Sequence, residues 1–302
     1  MVYTIMEYID GHMDLTEVKQ TKNNNNSITK VKEKMENLID INCKPEDVTI
    51  STMTITCKLG TDFNVENICK YIDLSRNGVI EVVSGKDTRT LITKKCNNQK
   101  NKKGKREFYN QITLKVNTKK DKVVNIKLFI NGSIQMTGCK SVEGSIEALE
   151  KLLESLKKEK AIINTETMKI EDKPFMSNAS KLNVEHIHNY KVAMINSNFT
   201  IGFSVDRLKL FNCMTKDGLD ATYDPIIHAG VIIRYNTGEK IISIFVFESG
   251  SIVITGAKGC VQINSAYNFI NKYLLENYKN IVKSNNLSNS TILKYLDADI
   301  NS

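Results

Sequence analysis

The chain writes one strand-turn-strand phrase twice. FINGSIQMTGCK occupies residues 129–140 and FESGSIVITGAK residues 247–258; seven of twelve positions are identical, namely Phe, Gly, Ser, Ile, Thr, Gly and Lys. Repetition at that level points to a duplicated fold. The surroundings match too. Strand-like VVNIKLF (123–129) and IISIFVF (241–247) lead into the two phrases. An amphipathic helix pattern follows each. Its apolar positions are Val142, Ile146, Leu149, Leu152, Leu153 and Leu156 in the first copy. In the second they are Val261, Ile263, Tyr267, Phe269, Ile270, Tyr273 and Leu274. Upstream, QITLKV (111–116) corresponds to GVIIRY (230–235). The segments FNVENICKYI (63–72) and SVDRLKLF (204–211) read as short helices, and TISTMTITCKL (49–59) and VAMINSNFTIGF (192–203) as strands.

Each copy is therefore a strand, a helix, several antiparallel strands and a long helix. The expected class is α+β, with repeats over 46–160 and 189–285. Residues 1–45 are a polar, Asn-rich extension expected to be partly disordered, 161–188 a linker and 286–302 a tail. Within the first repeat, residues 86–107 hold nine Lys or Arg against two acids, which reads as a solvated basic loop.

Composition narrows the functions. No apolar run approaches the length of a membrane span. The N-terminus has acids where a signal peptide needs a basic end, so an intracellular location is expected. The seven cysteines (Cys43, Cys57, Cys69, Cys96, Cys139, Cys213, Cys260) form no CxxC pair, and the four histidines (His12, His186, His188, His228) lack metal-ligand spacing. Buried thiols are expected rather than zinc or disulfides. No cofactor is implied. A net charge of +8 suits an anionic partner.

Strand alternation sorts the faces. Val124, Ile126, Leu128, Ile134 and Met136 share a side in the first copy, as do Ile242, Ile244, Val246, Ile252 and Ile254 in the second. That side should sit under the helices. The other should carry Phe129 and Thr137, and Phe245, Phe247, Val253 and Thr255. An antiparallel sheet can leave such a face open, and exposed Phe and Val there ask for a partner.

These residues carry a resemblance. The doubled F-x-S/N-G-S-I-x-x-T-G-x-K, with YDPIIHAGVIIRY at 223–235, resembles the TATA-box-binding protein family over about two thirds of the chain. Its divergence and insertions make it similar to the versions carried by large DNA viruses. The resemblance implies a saddle: a curved antiparallel sheet with helices on its convex face and the minor groove of DNA against its concave face. Phe wedges would enter base steps and kink the duplex, a mechanism for which this family is the standard example.

Carried over by position, Phe129 and Phe247 match one wedge in each half. His228 stands at the second half's other wedge, and Phe108 or Tyr109 at the first half's. Thr137, Thr255, Val253, Phe245 and Gln135 fall on the minor-groove face. Lys115 and Arg234 match a phosphate-contacting Arg pair, and Lys140 and Lys258 the TGAK lysines. Pro225, Ile226 and Ile227 match the contact for transcription factor IIB. Four departures stand out. Gln135 replaces an apolar residue and Lys127 a Leu. His228 is a wedge with a polar edge. Thr52 and Met194 fall nearest the family's central Asn pair, with Asn196 close by. General A·T-rich, bendable DNA is thus a better expectation than a strict TATA sequence.

The resemblance implies a transcription initiation factor that bends A·T-rich promoter DNA and recruits a transcription factor IIB-like protein and RNA polymerase. It would act in the nucleus or at a cytoplasmic viral transcription site. It implies no enzyme, no cofactor, no membrane and no small-molecule substrate. GSIQMTGCKS (132–141) fails the P-loop spacing. The alternative is a scaffold of the same fold that binds transcription proteins with weak or no autonomous DNA binding.

Overall fold

The structure is a computed structural model that describes residues 33, 43–85, 87–92 and 109–283. Most of the N-terminal extension, most of the basic insertion, Phe108 and the tail from 286 lie outside the described residues. The chain separates into two compact units, one built on Thr52–Met194 and the other on Asn42–Ser51 with Ile195 onward.

In the first unit the chain runs β1 (Thr49–Leu59), α1 (Val65–Tyr71), β2 (Val79–Ser84), β3 (Asp87–Thr90), β4 (Gln111–Thr118), β5 (Lys122–Phe129), β6 (Ser133–Cys139) and α2 (Val142–Leu156). The strands form an antiparallel sheet in the order β1-β6-β5-β4-β2-β3. Alternation buries Ile112, Leu114, Val124, Ile126, Leu128, Ile134 and Met136 to 1% exposure or less. All six apolar positions expected on α2 are buried with them. Each such Leu or Ile contributes about 1.5–3 kcal/mol by leaving water, so this one-sided burial holds the helix to the sheet. Burial also pushes the Cys57 thiol up to about 12.

The start of α2 is fixed by a buried acid. Ser141 caps it by accepting from the Gly144 N–H at 3.0 Å. Asp121, 6% exposed, accepts from the Lys140 N–H at 2.8 Å, so a carboxylate faces the positive end of the helix. A Cβ on Gly144 would fall 2.1 Å from the Asp121 Oδ2, which is why the helix begins with a glycine in its first turn.

The second unit repeats the plan. Strand β9 (Ile187–Thr200) enters it, followed by α3 (Arg207–Lys216), β10 (Ala221–Thr222), β11 (Val231–Asn236), β12 (Ile241–Val246), β13 (Ser251–Ala257), α4 (Cys260–Glu276) and the short α5 (Tyr278–Ile281). The sheet order is β10-β11-β12-β13-β9, again antiparallel. Ile233, Ile242, Ile244, Val246, Ile252 and Ile254 form its buried side at 1% exposure or less. Helix α4 covers them with Ile263, Ala266, Ile270 and Leu274. The fold class is α+β, with helices on one face of an antiparallel sheet in each unit.

Three expectations change. Val261, placed on the apolar stripe of α4, is 80% exposed, because the preceding Cys260 turns inward instead. The segment read as linker folds as a hairpin, β7 (Lys160–Asn164) with β8 (Lys169–Lys173), followed by two 3-10 turns at Ala179–Lys181 and Val184–His186. The start of the basic segment is a strand, since β3 pairs with β2. Its Arg89 donates to the carbonyls of Cys69 and Ile72 at 2.9 and 2.8 Å, closing the end of α1.

The doubled phrase now has a physical reason. In each copy a turn begins at the Phe and closes at the first Gly, whose N–H donates to the Phe carbonyl at 3.0 Å in both. Those glycines, Gly132 and Gly250, have φ of 78° and 80°, a region that side chains disfavour. Their carbonyls accept from Leu59 and Ile201. At the second Gly of each phrase the ladder shifts register, and Gly138 and Gly256 have φ of 86° and 97°. This bulge re-aims the chain before the helix. Both glycines of the phrase set the backbone, while the Phe that opens it and the Thr before the second Gly stay on the other face.

Candidate nucleic-acid interface

Among the described residues, the helices of each unit pack on one face of its sheet, and the other face carries a second set of side chains. On it lie Ser133, Gln135 and Thr137 of β6, Asn125, Lys127 and Phe129 of β5, and Gln111, Thr113 and Lys115 of β4, all half-buried. The second unit presents Ser251, Val253 and Thr255 of β13, Phe245 and Phe247 from the β12 run, and Ile232 of β11, likewise half-buried. The wedge candidates Phe129 and Phe247 thus lie on the face away from the helices.

The ladders align the copies. Thr54 faces Thr137 and Asn196 faces Thr255. The Thr255 hydroxyl donates to the Asn196 Oδ1, and the Ser51 hydroxyl to the Asn198 Oδ1 at 2.6 Å. Thr54 and Asn196 therefore sit opposite the motif threonines. Gln111 faces Phe129, and Gly230 lies against Phe247, where a Cβ would sit 3.2 Å from the ring. Two residues before each glycine or glutamine come His228 and Tyr109. Tyr109 is 84% exposed.

His228 belongs to an aromatic cluster. Its ring centroid lies 5.0 Å from that of Phe245 and 5.7 Å from that of Phe247. The backbone N–H and the carbonyl oxygen of Gly230 lie 3.0 and 3.3 Å from the His228 Nδ1, so the chain two residues on holds the ring by this nitrogen.

The cations divide into engaged and exposed. Lys115, a candidate phosphate ligand, is paired with an acid. Its ammonium lies 2.7 Å from the Glu81 Oε1, and the Glu81 side chain is only 3% exposed. The Thr90 hydroxyl donates to the other Glu81 oxygen at 3.1 Å. Arg234 is exposed and donates to the Ser243 hydroxyl. Lys140 and Lys258 are exposed. Glu81 was not legible as a site residue, since VIEVV reads as an apolar run with one interruption; the interruption was the signal.

The loop before β11 is built by local bonds. Asp224 accepts from the Ile226 N–H at 2.9 Å through its side chain and from the His228 N–H at 2.8 Å through its carbonyl. The Arg207 guanidinium stacks 5.6 Å over the Tyr223 ring and pairs with Glu248 at 2.6 Å. A hydrogen bond from Lys283, with Arg207 nearby, holds the Glu248 carboxyl below its ordinary range. Held this way, the loop presents Ile226 and Ile227 at 94% and 82% exposure, with Pro225 exposed beside them.

Among the described residues no group of three or more His, Cys, Asp or Glu could hold a metal, and no helix is long and apolar enough to cross a membrane.

The geometry can be set beside known proteins. The sequence model described as transcription factor TFIID, or TATA-binding protein, matches residues 189–277. A TATA-box-binding protein-like protein of Acanthamoeba polyphaga mimivirus is 37% identical over 257 residues, covering 78% of this chain and 67% of that one. The chain belongs to the TATA-box-binding protein family. The TATA-box-binding protein of Pyrodictium occultum is 26% identical over 207 residues, covering 68% of this chain and 83% of its own. Among solved structures, a Methanococcus jannaschii TATA-binding protein superposes with a TM-score of 0.48 at 17% identity, covering 76% of this chain and 99% of that one. Family membership makes this a DNA-binding, transcription-related protein of a divergent, virus-like branch. The family model covers the second repeat, the copy that keeps the apolar residues at 245 and 253. The first repeat, with Lys127 and Gln135 in those places, lies outside the matched span.

Proposed function

We propose that the protein binds A·T-rich promoter DNA through the minor groove, bends it, and recruits the transcription machinery. The observation that carries this reading is the sheet face away from the helices in each unit, with Phe129 or Phe247 at the start of its turn and Thr137 or Thr255 beside it. The minor groove offers few distinguishing groups, and A·T pairs show only acceptors. An apolar face with small hydroxyls suits that surface. Aromatic rings at the turn unstack a base step, and the bend lets more of the face make contact. Exposed Lys140, Lys258 and Arg234 hold phosphates, adding affinity with little sequence information. The protruding Pro225, Ile226 and Ile227 meet a transcription factor IIB-like protein, which brings RNA polymerase. The site of action is the nucleus or a cytoplasmic viral transcription site.

The direct test is a gel-shift and circular-permutation assay of the full chain on A·T-rich duplexes. Wild type gives a bent complex; the double variant Phe129→Ala, Phe247→Ala loses it. Absence of any wild-type complex at low salt overturns the reading in favour of a scaffold of the same fold, acting through protein contacts.

The Glu81–Lys115 pair makes a separate prediction. Neutralising the buried acid with Glu81→Gln frees one ammonium on the DNA-facing side. The plot of log affinity against log salt should steepen by about one phosphate contact, a slope change of roughly 0.9. An unchanged slope means that Lys115 stays off the phosphates even when released.

A further inference from the structure

The two faces away from the helices differ along one transverse row. In the second unit Ile232 faces Phe245, and Phe245 faces Val253. In the first unit the same places hold Thr113 facing Lys127, and Lys127 facing Gln135. The alignment is fixed on both sides, by Thr137 with Thr255 and by Phe129 with Phe247. All six residues are half-buried. Folding does not require the difference, because the covered faces of the same strands are apolar in both units. Among the described residues no other side chain holds the Lys127 ammonium or the Gln135 amide. Three apolar groups have thus been exchanged for a hydroxyl, an ammonium and an amide that face outward without internal work.

Resting on the minor-groove reading above, we infer that this row is a specificity determinant: the first unit reads a half-site that accepts a G·C pair, and the second a half-site that must be A·T. In the minor groove A·T and T·A show only acceptors, and G·C adds the exocyclic amine of guanine as a donor. Ile232, Phe245 and Val253 have no acceptor for that amine. Pressed against it, they remove its water and leave it unpaired, which is costly. The Gln135 carbonyl accepts from the amine, while its NH2 group and the Lys127 ammonium donate to the flanking base acceptors. The two half-sites are therefore chemically different, which selects one orientation of the duplex.

The experiment scans a single G·C pair across an otherwise A·T-rich duplex and measures affinity of the full chain at each step. Wild type should tolerate the pair in one half and lose about tenfold or more in the other. Inosine·C, which lacks the amine, should restore binding in the intolerant half. The double variant Lys127→Phe, Gln135→Val should make both halves intolerant, and Phe245→Lys, Val253→Gln should make both tolerant. Equal penalties in the two wild-type halves would overturn the inference, as would a profile that neither double variant moves. If a variant fails to fold, the wild-type scan with inosine decides alone. A wild type that binds no A·T-rich duplex refutes the underlying DNA reading instead, and gives no profile at all.

Discussion

Phe247→Ala is expected to lower affinity for A·T-rich duplex DNA about a hundredfold, and Phe129→Ala only about tenfold. The two rings occupy equivalent turns but different surroundings. Phe247 lies against Gly230 and near His228, which also contacts Phe245. His228 touches both phenyl rings, so little order is lost when Phe247 enters a base step. Removing Phe247 also takes away one of the two rings that hold His228. Phe129 has Lys127 where Phe247 has Phe245, and its partner position, Tyr109, is 84% exposed. Aromatic insertion or stacking is worth about 1–3 kcal/mol per base, and a hundredfold is about 2.7 kcal/mol. Anisotropy titrations of the two single variants check the ranking. Equal losses would remove the role given to the aromatic cluster, and no loss from either would remove the wedges.

Gly132→Ala and Gly250→Ala should each destabilise the protein by about 3 kcal/mol or more. Two costs add. A left-handed backbone at a non-Gly residue costs roughly 1–3 kcal/mol, and overpacking into fixed atoms costs about as much again. The added methyl would fall 2.3 Å from the Thr61 carbonyl oxygen at Gly132, and 2.2 Å from that of Phe203 at Gly250. Both obstacles are backbone, so neither can swing aside. Gly60 is the control, because nothing lies within 4 Å of its Cβ position; Gly60→Ala should stay within about 1 kcal/mol of wild type. Thermal unfolding of the three variants gives the comparison. An Ala at either turn with wild-type stability would mean the turn can relax, and the shared phrase would need another explanation.

Much of this architecture was legible because two periodicities agreed. Alternation in β5, β6, β12 and β13 named the covered residues, and the spacing in α2 named all six that meet them. What stayed hidden was set by contacts distant in sequence. Nothing local marks Asp121 as the acid at the head of α2, since Lys140 and Ser141 reach it from β6 onward. The apolar interruption at Glu81 made sense only once Lys115 and Thr90 were beside it. The hairpin at 160–173 carries too many charges for alternation to show. The placement of Asn196 opposite Thr255 depended on a bulge, which shifts register by one residue and defeats counting along the chain.

Residues 43–51 group with the second unit, although they lie upstream of Thr52–Met194 in sequence. Asn264 and Tyr267 of α4 reach the Cys43 carbonyl and the Asp47 carboxylate. The later repeat is consequently not a contiguous stretch of polypeptide. During synthesis its earliest-made piece leaves the ribosome well before the helix it rests on, and must wait for it. A fragment that starts at the second repeat would lack its own beginning.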